Sequence, residues 1–404
     1  MSWLETALNG IAVQLKSFAG QLTNIKETKL GKDEASKIFQ KRSDAFSGKW
    51  ADITGKPNLA TIATSGSYND LSNKPSFLTL AINWTATTLP LSSTWKSVTY
   101  GGGKFVAIVN NSTTAAYSTD GISWTETTLP SSARWFSVTY GDGKFVAIAY
   151  ISNKAAYSSD GISWTETTLP SSAHWDSVTY GNDKFVTVAL NSTKAAYSSD
   201  GINWTETTLP LSANWQSVTY GNGKFVAVAN YSDKAVYSSD GVNWTETTLP
   251  SSEYWNSVTY GDGKFVAIGY NSTKAAYSSD GINWTETAMS SFAQWYSVTY
   301  GGGKYVAIVY NSNKAACSSD GISWTETTLP SFEYWNSVTY GNGKFVAITT
   351  SSDKAAYNTF TIVSEGIDIT SRIPTIVPSS TTGSTKKFRI TVDDSGTISA
   401  VEVT

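Results

Sequence analysis

The sequence contains a single cysteine, Cys317, and a single histidine, His174. One thiol excludes a disulfide framework and a thiolate metal site, and one histidine excludes a metal site built from histidines. Charged residues make up only 15% of the chain and its net charge is −3, so a basic surface for nucleic acid is not expected. No apolar run reaches membrane-spanning length and the N-terminus lacks a signal-peptide pattern, so we expect neither a membrane span nor secretion by that route.

Aromatic residues are abundant, with 16 Trp and 22 Tyr, and the tryptophans recur with a strict period. Two series advance by 40 residues without a slip. They are Trp84, Trp124, Trp164, Trp204, Trp244, Trp284 and Trp324, and Trp95, Trp135, Trp175, Trp215, Trp255, Trp295 and Trp335.

Each 40-residue unit contains four strand-like runs. One unit reads WTETTLPSSARWFSVTYGDGKFVAIAYISNKAAYSSDGIS, in which SVTY, KFVAIA, KAAYSS and WTETTL are strands A, B, C and D. The segments between them (G-x-G, a polar loop, S-D-G and L-P-S-S) have the composition of turns. This period predicts an all-β fold, a seven-bladed β-propeller with four-stranded blades over residues 79–360. A trimeric β-stalk is the alternative.

The two ends of the repeat region predict ring closure. The first D strand precedes every A strand, and the last C strand, KAAYNTF, lacks both the S-D-G turn and a D strand of its own. We therefore expect Trp84–Leu89 to pair with the strand around Lys354–Thr359, so that the N-terminal strand completes the last blade and leaves no open edge inside the ring.

The turn YSSDGISW resembles the Asp-box of sialidase-type propellers, although it is one residue shorter. In such a turn the aspartate accepts backbone N–H bonds and the glycine adopts a positive φ, so we assign these residues a structural role. They are Asp120, Asp160, Asp200, Asp240, Asp280 and Asp320.

A heptad pattern occupies the N-terminus, predicting a coiled coil over residues 1–28. A helix packed on its own chain is the alternative. The seam, which favours a trimer or tetramer, consists of Leu4, Leu8, Ile11, Leu15, Phe18, Leu22 and Ile25. Residues 29–78 form a predicted shaft or linker, and residues 361–404 contain a predicted hairpin around Asp393–Gly396.

The linker contains a small duplication, WADITGKP at 50–57 and YNDLSNKP at 68–75. This segment resembles the shaft of bacteriophage tail fibres, and the C-terminal hairpin resembles segments of phage structural proteins. The resemblance implies a homotrimeric virion protein that is made in the host cytoplasm and acts outside the cell.

The residues for catalysis are missing. Sialidases resemble this chain in fold but grip their substrate with three arginines, whereas only Arg134 of the four arginines falls in the repeats. The recurrent glutamates of the D strands suggest a solvated edge and not a paired-carboxylate site. We therefore expect no enzymatic activity, no cofactor and no metal.

The seven copies differ mainly at the residues flanking the second tryptophan and in the B–C loop. In a four-stranded meander the D–A and B–C connections share one face, so these positions predict a variable recognition face rich in aromatic and amide groups. The candidate ligand contacts are Arg134, Phe136, Tyr150, His174, Asp176, Asn214, Gln216, Tyr231, Tyr254, Asn256, Tyr270, Asn271, Gln294, Tyr296, Tyr310, Tyr334 and Asn336.

The invariant tryptophans beside these positions have two interpretations. Either they form the core between blades, which their invariance favours, or they form an aromatic platform for a ligand. The platform would comprise Trp95, Trp135, Trp175, Trp215, Trp255, Trp295 and Trp335.

The sequence thus predicts a phage-type tail fibre or receptor-binding protein. Its variable face would attach the particle to a host-surface glycan without catalysis, and its N-terminus would contact other tail proteins. The alternatives are a structural or protein-docking virion component and a polysaccharide depolymerase that uses Asp176.

Overall fold

A computed structural model describes residues 79–363, 387–392 and 398–403, with side chains described from 82 to 358. All described strands belong to one compact unit, Leu78–Thr404. The predicted coiled coil and shaft, with Leu4, Leu8, Ile11, Leu15, Phe18, Leu22 and Ile25, lie outside the described residues. Within the described ranges, no helix is long and apolar enough to cross a bilayer.

The described chain is antiparallel β-structure throughout and forms a propeller-like array that closes on itself. Its strands, in chain order, are β1 (Thr79–Gly101), β2 (Lys104–Ser118), β3 (Thr125–Gly141), β4 (Lys144–Ser158), β5 (Thr165–Gly181), β6 (Lys184–Ala189), β7 (Ser192–Ser198), β8 (Thr205–Gly221), β9 (Lys224–Ser238), β10 (Thr245–Gly261), β11 (Lys264–Ser278), β12 (Thr285–Gly301), β13 (Lys304–Val309), β14 (Ser312–Ser318), β15 (Thr325–Glu333), β16 (Trp335–Gly341) and β17 (Lys344–Val363).

The closing pair of strands is the one that the sequence predicts. β1 pairs with the end of β17, with Trp84 opposite Asn358 and Thr88 opposite Lys354. Side chains reinforce the same seam, because the Val98 N–H donates to Ser337 Oγ at 3.2 Å and Thr327 Oγ1 donates to the Ile82 carbonyl at 3.1 Å. The seam reproduces the contacts found between other successive repeats, such as Val138 to Ser97.

The L-P-S-S segment does not form the predicted turn. The L-P-S-S segment was assigned to a turn, but the chain stays extended there, and β3 runs from Thr125 to Gly141 without a break. The first half of β3 pairs with β2 of the preceding repeat, and its second half pairs with β4 of its own repeat. The segment is therefore an extended crossing between two neighbouring groups of strands.

The core lies between successive repeats. Trp135 is fully buried against Ile108 and Ala115 of the preceding repeat and against Ala147 and Ala156 of its own. Small alanines at these positions leave room for the indole, which explains why the repeat combines an invariant tryptophan with alanine pairs.

The C-terminal pair, β18 (Lys387–Val392) and β19 (Ile398–Val403), is antiparallel, with Lys387 opposite Val403. This pairing agrees with the predicted hairpin.

Candidate functional site

The variable positions meet on one face of the array as two concentric sets. The inner set consists of the residues that follow the invariant tryptophans. Each lies at a register shift of its strand, for example between Trp135 and Ser137. A β-bulge of this kind re-aims one side chain out of the regular pairing, and here it recurs in every repeat. The inner set is Lys96, Phe136, Asp176, Gln216, Asn256, Tyr296 and Asn336.

The outer set alternates between the residue before the tryptophan and the residue of the B–C connection. Asn110 pairs with Arg134, and Tyr150 pairs with His174. The outer set continues around the face through further neighbouring positions. They are Asn214, Asn230 and Tyr254, then Tyr270 and Gln294, and finally Tyr334, Thr350 and Thr94. The comparison of copies therefore predicted the positions of the face, and the pairings bring them side by side. Asn271 has φ 53° and lies exposed at the register shift of β11 between Tyr270 and Ser272.

Six tyrosines form a continuous band along one side of this face. Ring centroids are 3.8 Å apart for Tyr231–Tyr254, 5.3 Å for Tyr254–Tyr270 and 6.1 Å for Tyr270–Tyr296. The band continues through Tyr310, 5.2 Å from Tyr296, to Tyr334 at 5.1 Å. We call Tyr231, Tyr254, Tyr270, Tyr296, Tyr310 and Tyr334 the tyrosine band.

Three hydroxyls of the band, those of Tyr254, Tyr270 and Tyr310, have raised pKa values and are neutral at physiological pH. Burial, followed by the hydrogen bond and the charge of Tyr231, raises the pKa of Tyr254 to about 12. Burial also raises the pKa of Tyr270 and of Tyr310. The band therefore presents ring faces together with hydroxyls that both donate and accept hydrogen bonds.

The opposite side of the face has a different character. Phe136 stacks on Tyr150 with ring centroids 4.9 Å apart and an interplanar angle of 25°. Lys96 Nζ lies 3.9 Å from the Phe136 centroid, and Arg134 Cζ lies 4.8 Å from the Tyr150 centroid. We call these four residues the cation stack. Tyr150 also contacts His174, with 3.3 Å between its hydroxyl and Nδ1.

Lys96 links the cation stack to the tyrosine band. Its Nζ donates to the Tyr296 hydroxyl at 2.9 Å, although the two residues are 200 positions apart. An aromatic surface therefore continues around the face from Tyr231 to Arg134, with the Lys96 ammonium group between the tyrosine band and the cation stack.

Three of the predicted contact residues face inward. Asp176 is only 7% exposed and accepts from Gln216 Nε2 at 2.8 Å. Burial raises the pKa of Asp176 to about 7, and the charge of Lys96 only partly opposes this. Asn336 is buried and donates to the Trp95 and Lys96 carbonyls, while Asn256 donates to the Tyr296 carbonyl. Asn336 and Asn256 therefore fix the backbone of neighbouring repeats.

The invariant tryptophans do not form the aromatic platform that was the second interpretation of the sequence. The rings of Trp95, Trp135, Trp175, Trp215, Trp255, Trp295 and Trp335 are fully buried, so no ligand on this face reaches them. Six of the indoles donate to the carbonyl four residues earlier, as Trp135 does to Ser131 at 3.1 Å. They form the core between repeats.

Sequence reasoning missed two exposed rings and one cation. Phe292 and Phe332 are 64% and 66% exposed at the equivalent position of adjacent repeats. Five repeats have serine there, and this difference was overlooked because the segment was assigned to a turn. Lys96 was omitted from the candidate contacts, although it occupies the inner set.

The S-D-G turns lie on the other face. Asp160 Oδ1 accepts from the N–H groups of Ile162 and Ser163, both at 2.8 Å, and from Ser158 Oγ. These bonds lower the pKa of Asp160 to about 2. In the turns of Asp120, Asp200, Asp240, Asp280 and Asp320, burial opposes ionisation, but hydrogen bonds outweigh it and the pKa is again lowered. Across the described residues, no group of three or more His, Cys, Asp or Glu is placed to hold a metal ion.

These turns predict acid sensitivity. A carboxylate whose pKa is lower in the folded state stabilises the fold above the unfolded pKa, 3.8, and this contribution is lost as the pH falls through the folded value. We expect the melting temperature to drop steeply between about pH 4 and pH 2. Circular dichroism measures the melting temperature at each pH. A melting temperature that stays constant over this interval would contradict the assigned role of the turns.

Comparisons with known proteins show which solved structures have a similar fold. No family model matches the chain, and no curated protein matches its sequence. The structure is similar to virginiamycin B lyase from Staphylococcus aureus, with a TM-score of 0.63 and 16% identity over 70% of this chain and 100% of the lyase. It is similar to YCF48 bound to D1 peptide, with a TM-score of 0.56 and 15% identity over 71% of this chain and 99% of that one. It is also similar to the WD40 β-propeller domain of Doa1, with a TM-score of 0.54 and 14% identity over 70% of this chain and 97% of that domain.

These similarities establish an all-β, propeller-like fold and correct the predicted function. The solved structures to which this chain is similar include a lyase, YCF48 and a WD40 domain, and these three are not tail fibres. The prediction of a phage-type tail fibre that binds a host glycan is therefore wrong.

Proposed function

We propose that the closed array is a seven-bladed propeller that binds a polypeptide segment on its variable face without catalysing a reaction. The observation that carries this proposal is the restriction of variation to one continuous surface. The tyrosine band and the cation stack join through Lys96, while the turns of the other face repeat almost unchanged.

The chemistry of the face suits a polypeptide. Tyrosine rings bury apolar side chains at a low entropic cost, and neutral hydroxyls and amides satisfy a peptide backbone. The exposed Phe292 and Phe332 extend the apolar surface towards the rim. YCF48, which shares the fold, is bound to a peptide in its structure, so such an array is able to present a peptide site.

The absence of catalysis is part of the proposal. The buried Asp176 is hydrogen-bonded to an amide, and the single histidine contacts a tyrosine hydroxyl. Both side chains are engaged by neighbouring side chains, and Asp176 is buried, so the proposal gives neither a catalytic role.

A displayed library of short random peptides tests the proposal. The full-length protein should enrich a family of peptides, and Tyr254→Ala combined with Tyr334→Ala should weaken their binding about tenfold or more, since both rings belong to the band. The matched control is Tyr117→Ala combined with Tyr197→Ala, because these tyrosines occupy the repeated C strands. Equal binding by the Tyr254/Tyr334 variant and the wild-type protein would refute the proposed face.

A further inference from the structure

The two cations of the variable face stand out from the other basic residues of the repeats. The other lysines of residues 79–358 occur at repeated positions, such as Lys104 at the start of strand B and Lys154 at the start of strand C. Among lysines and arginines, Lys96 and Arg134 are the only ones at variable positions, and Arg134 is the only arginine in this range. They lie in neighbouring repeats and belong to the same cation stack.

Neither cation has an anionic partner. Among the described side chains, no carboxylate oxygen lies within 4.0 Å of Lys96 Nζ or of the Arg134 guanidinium, whereas lysines of the C strands, such as Lys154 with Glu166 at 3.7 Å, do form such pairs. Aromatic faces hold both cations instead. A cation held by a ring keeps its hydrogen-bonding capacity for a further group.

One acid, Asp176, acts on the stack electrostatically but does not pair with either of its cations. Asp176 belongs to the inner set, but it is buried and its carboxylate is engaged by Gln216. Burial raises its pKa to about 7, so the carboxyl is partly protonated at neutral pH. Tyr296, which accepts from Lys96, and His174, which contacts Tyr150, are the other titratable groups that touch the stack. Burial raises the pKa of Tyr150 itself, so its hydroxyl carries no charge at neutral pH.

From this geometry we propose that the cation stack is the subsite for acidic side chains of the bound polypeptide, with its apolar side chains lying on the tyrosine band. This inference rests on the proposed function and orients the ligand. Lys96 Nζ, at the junction, would pair with a carboxylate near the centre of the face, and Arg134, which is exposed, would pair with a second one towards the rim.

The composition of the enriched peptides tests the inference. The full-length protein should select peptides that combine Asp or Glu with apolar residues. The double variant Lys96→Gln with Arg134→Gln should still enrich peptides but lose the acidic preference. A selected acidic peptide should bind that variant about tenfold more weakly, since hydrogen bonds to charged groups typically contribute this much. Lys96→Arg, which keeps the charge, should retain the preference and also shows whether loss of the Tyr296 contact alone disturbs the face.

The outcomes separate the two proposals. Peptides that depend on Tyr254 and Tyr334 but show no acidic preference, or whose preference persists in the double variant, would overturn the acidic subsite and leave peptide binding intact. Failure of the wild-type protein to enrich any peptide would overturn the proposed function and this inference with it. Raising the salt concentration gives an independent measurement, because it should weaken binding of an acidic peptide to the wild-type protein and not to the double variant.

Discussion

Replacing Gly141 by alanine should lower the free energy of unfolding by about 3 kcal/mol, the upper part of the range for overpacking. A Cβ atom at this position would lie 1.9 Å from Cγ and 2.3 Å from Cδ1 of Tyr180 in the next repeat. These are atoms of the ring base and not of a flexible tip, so the clash is relieved only by moving the neighbouring strand. Denaturant-induced unfolding, compared at constant m-value, measures the loss.

Gly143 supplies the matched control within the same turn. A Cβ atom there meets nothing within 4 Å, and repeat three already has Asp183 at this position with φ 55°. Gly143→Asp should therefore cost at most about 1 kcal/mol, the backbone penalty of a left-handed conformation. Similar losses for the two variants would mean that turn conformation, and not packing between repeats, decides the role of Gly141.

The same glycine position marks the limit of what the sequence predicts about the fold. The 40-residue period and the missing turns at both ends were sufficient to predict the closing pair of β1 and β17, because both signals lie along the chain. The first glycine of G-x-G was assigned to a turn, but its invariance comes from the Tyr180 ring of the next repeat. A contact between repeats leaves no local signal, so the sequence could not distinguish the two roles.

The sequence was sufficient to predict which residues form the candidate face, but not which of their side chains are exposed. Comparing the copies located the residues around each tryptophan, and strand topology placed them on one face. Residues at the same inner position then differ in burial: Asp176 and Asn336 are buried, whereas Lys96 reaches Tyr296 across the face. This difference depends on side-chain length and on the neighbours in three dimensions, which no single repeat contains.

Asp176→Asn should stabilise the protein, by on the order of 4 kcal/mol above about pH 7. The pKa of the carboxyl is raised from 3.8 to about 7 by burial. A group with a raised pKa contributes its full stability below the unfolded value, and that stability is lost as the pH rises towards the folded value. Asparagine has no such charge, and its oxygen still accepts from Gln216, so the gain should appear between about pH 4 and pH 7 and then stay constant.

Thermal or denaturant unfolding of the wild-type protein and of Asp176→Asn at about pH 4 and pH 8 tests this prediction. The difference in their free energies of unfolding should be small at the lower pH and large at the higher one. Asp262→Asn is the control, since Asn182, Asn222 and Asn342 occupy the equivalent turn position in three other repeats. It should change stability by less than about 0.5 kcal/mol at either pH, as expected for an exposed site.

If Asp176→Asn and the wild-type protein were equally stable at pH 8, the carboxyl of Asp176 would have to be solvated or paired with Lys96. The cation stack would then lose one of its unpaired charges, so this measurement also tests the premise of the acidic subsite.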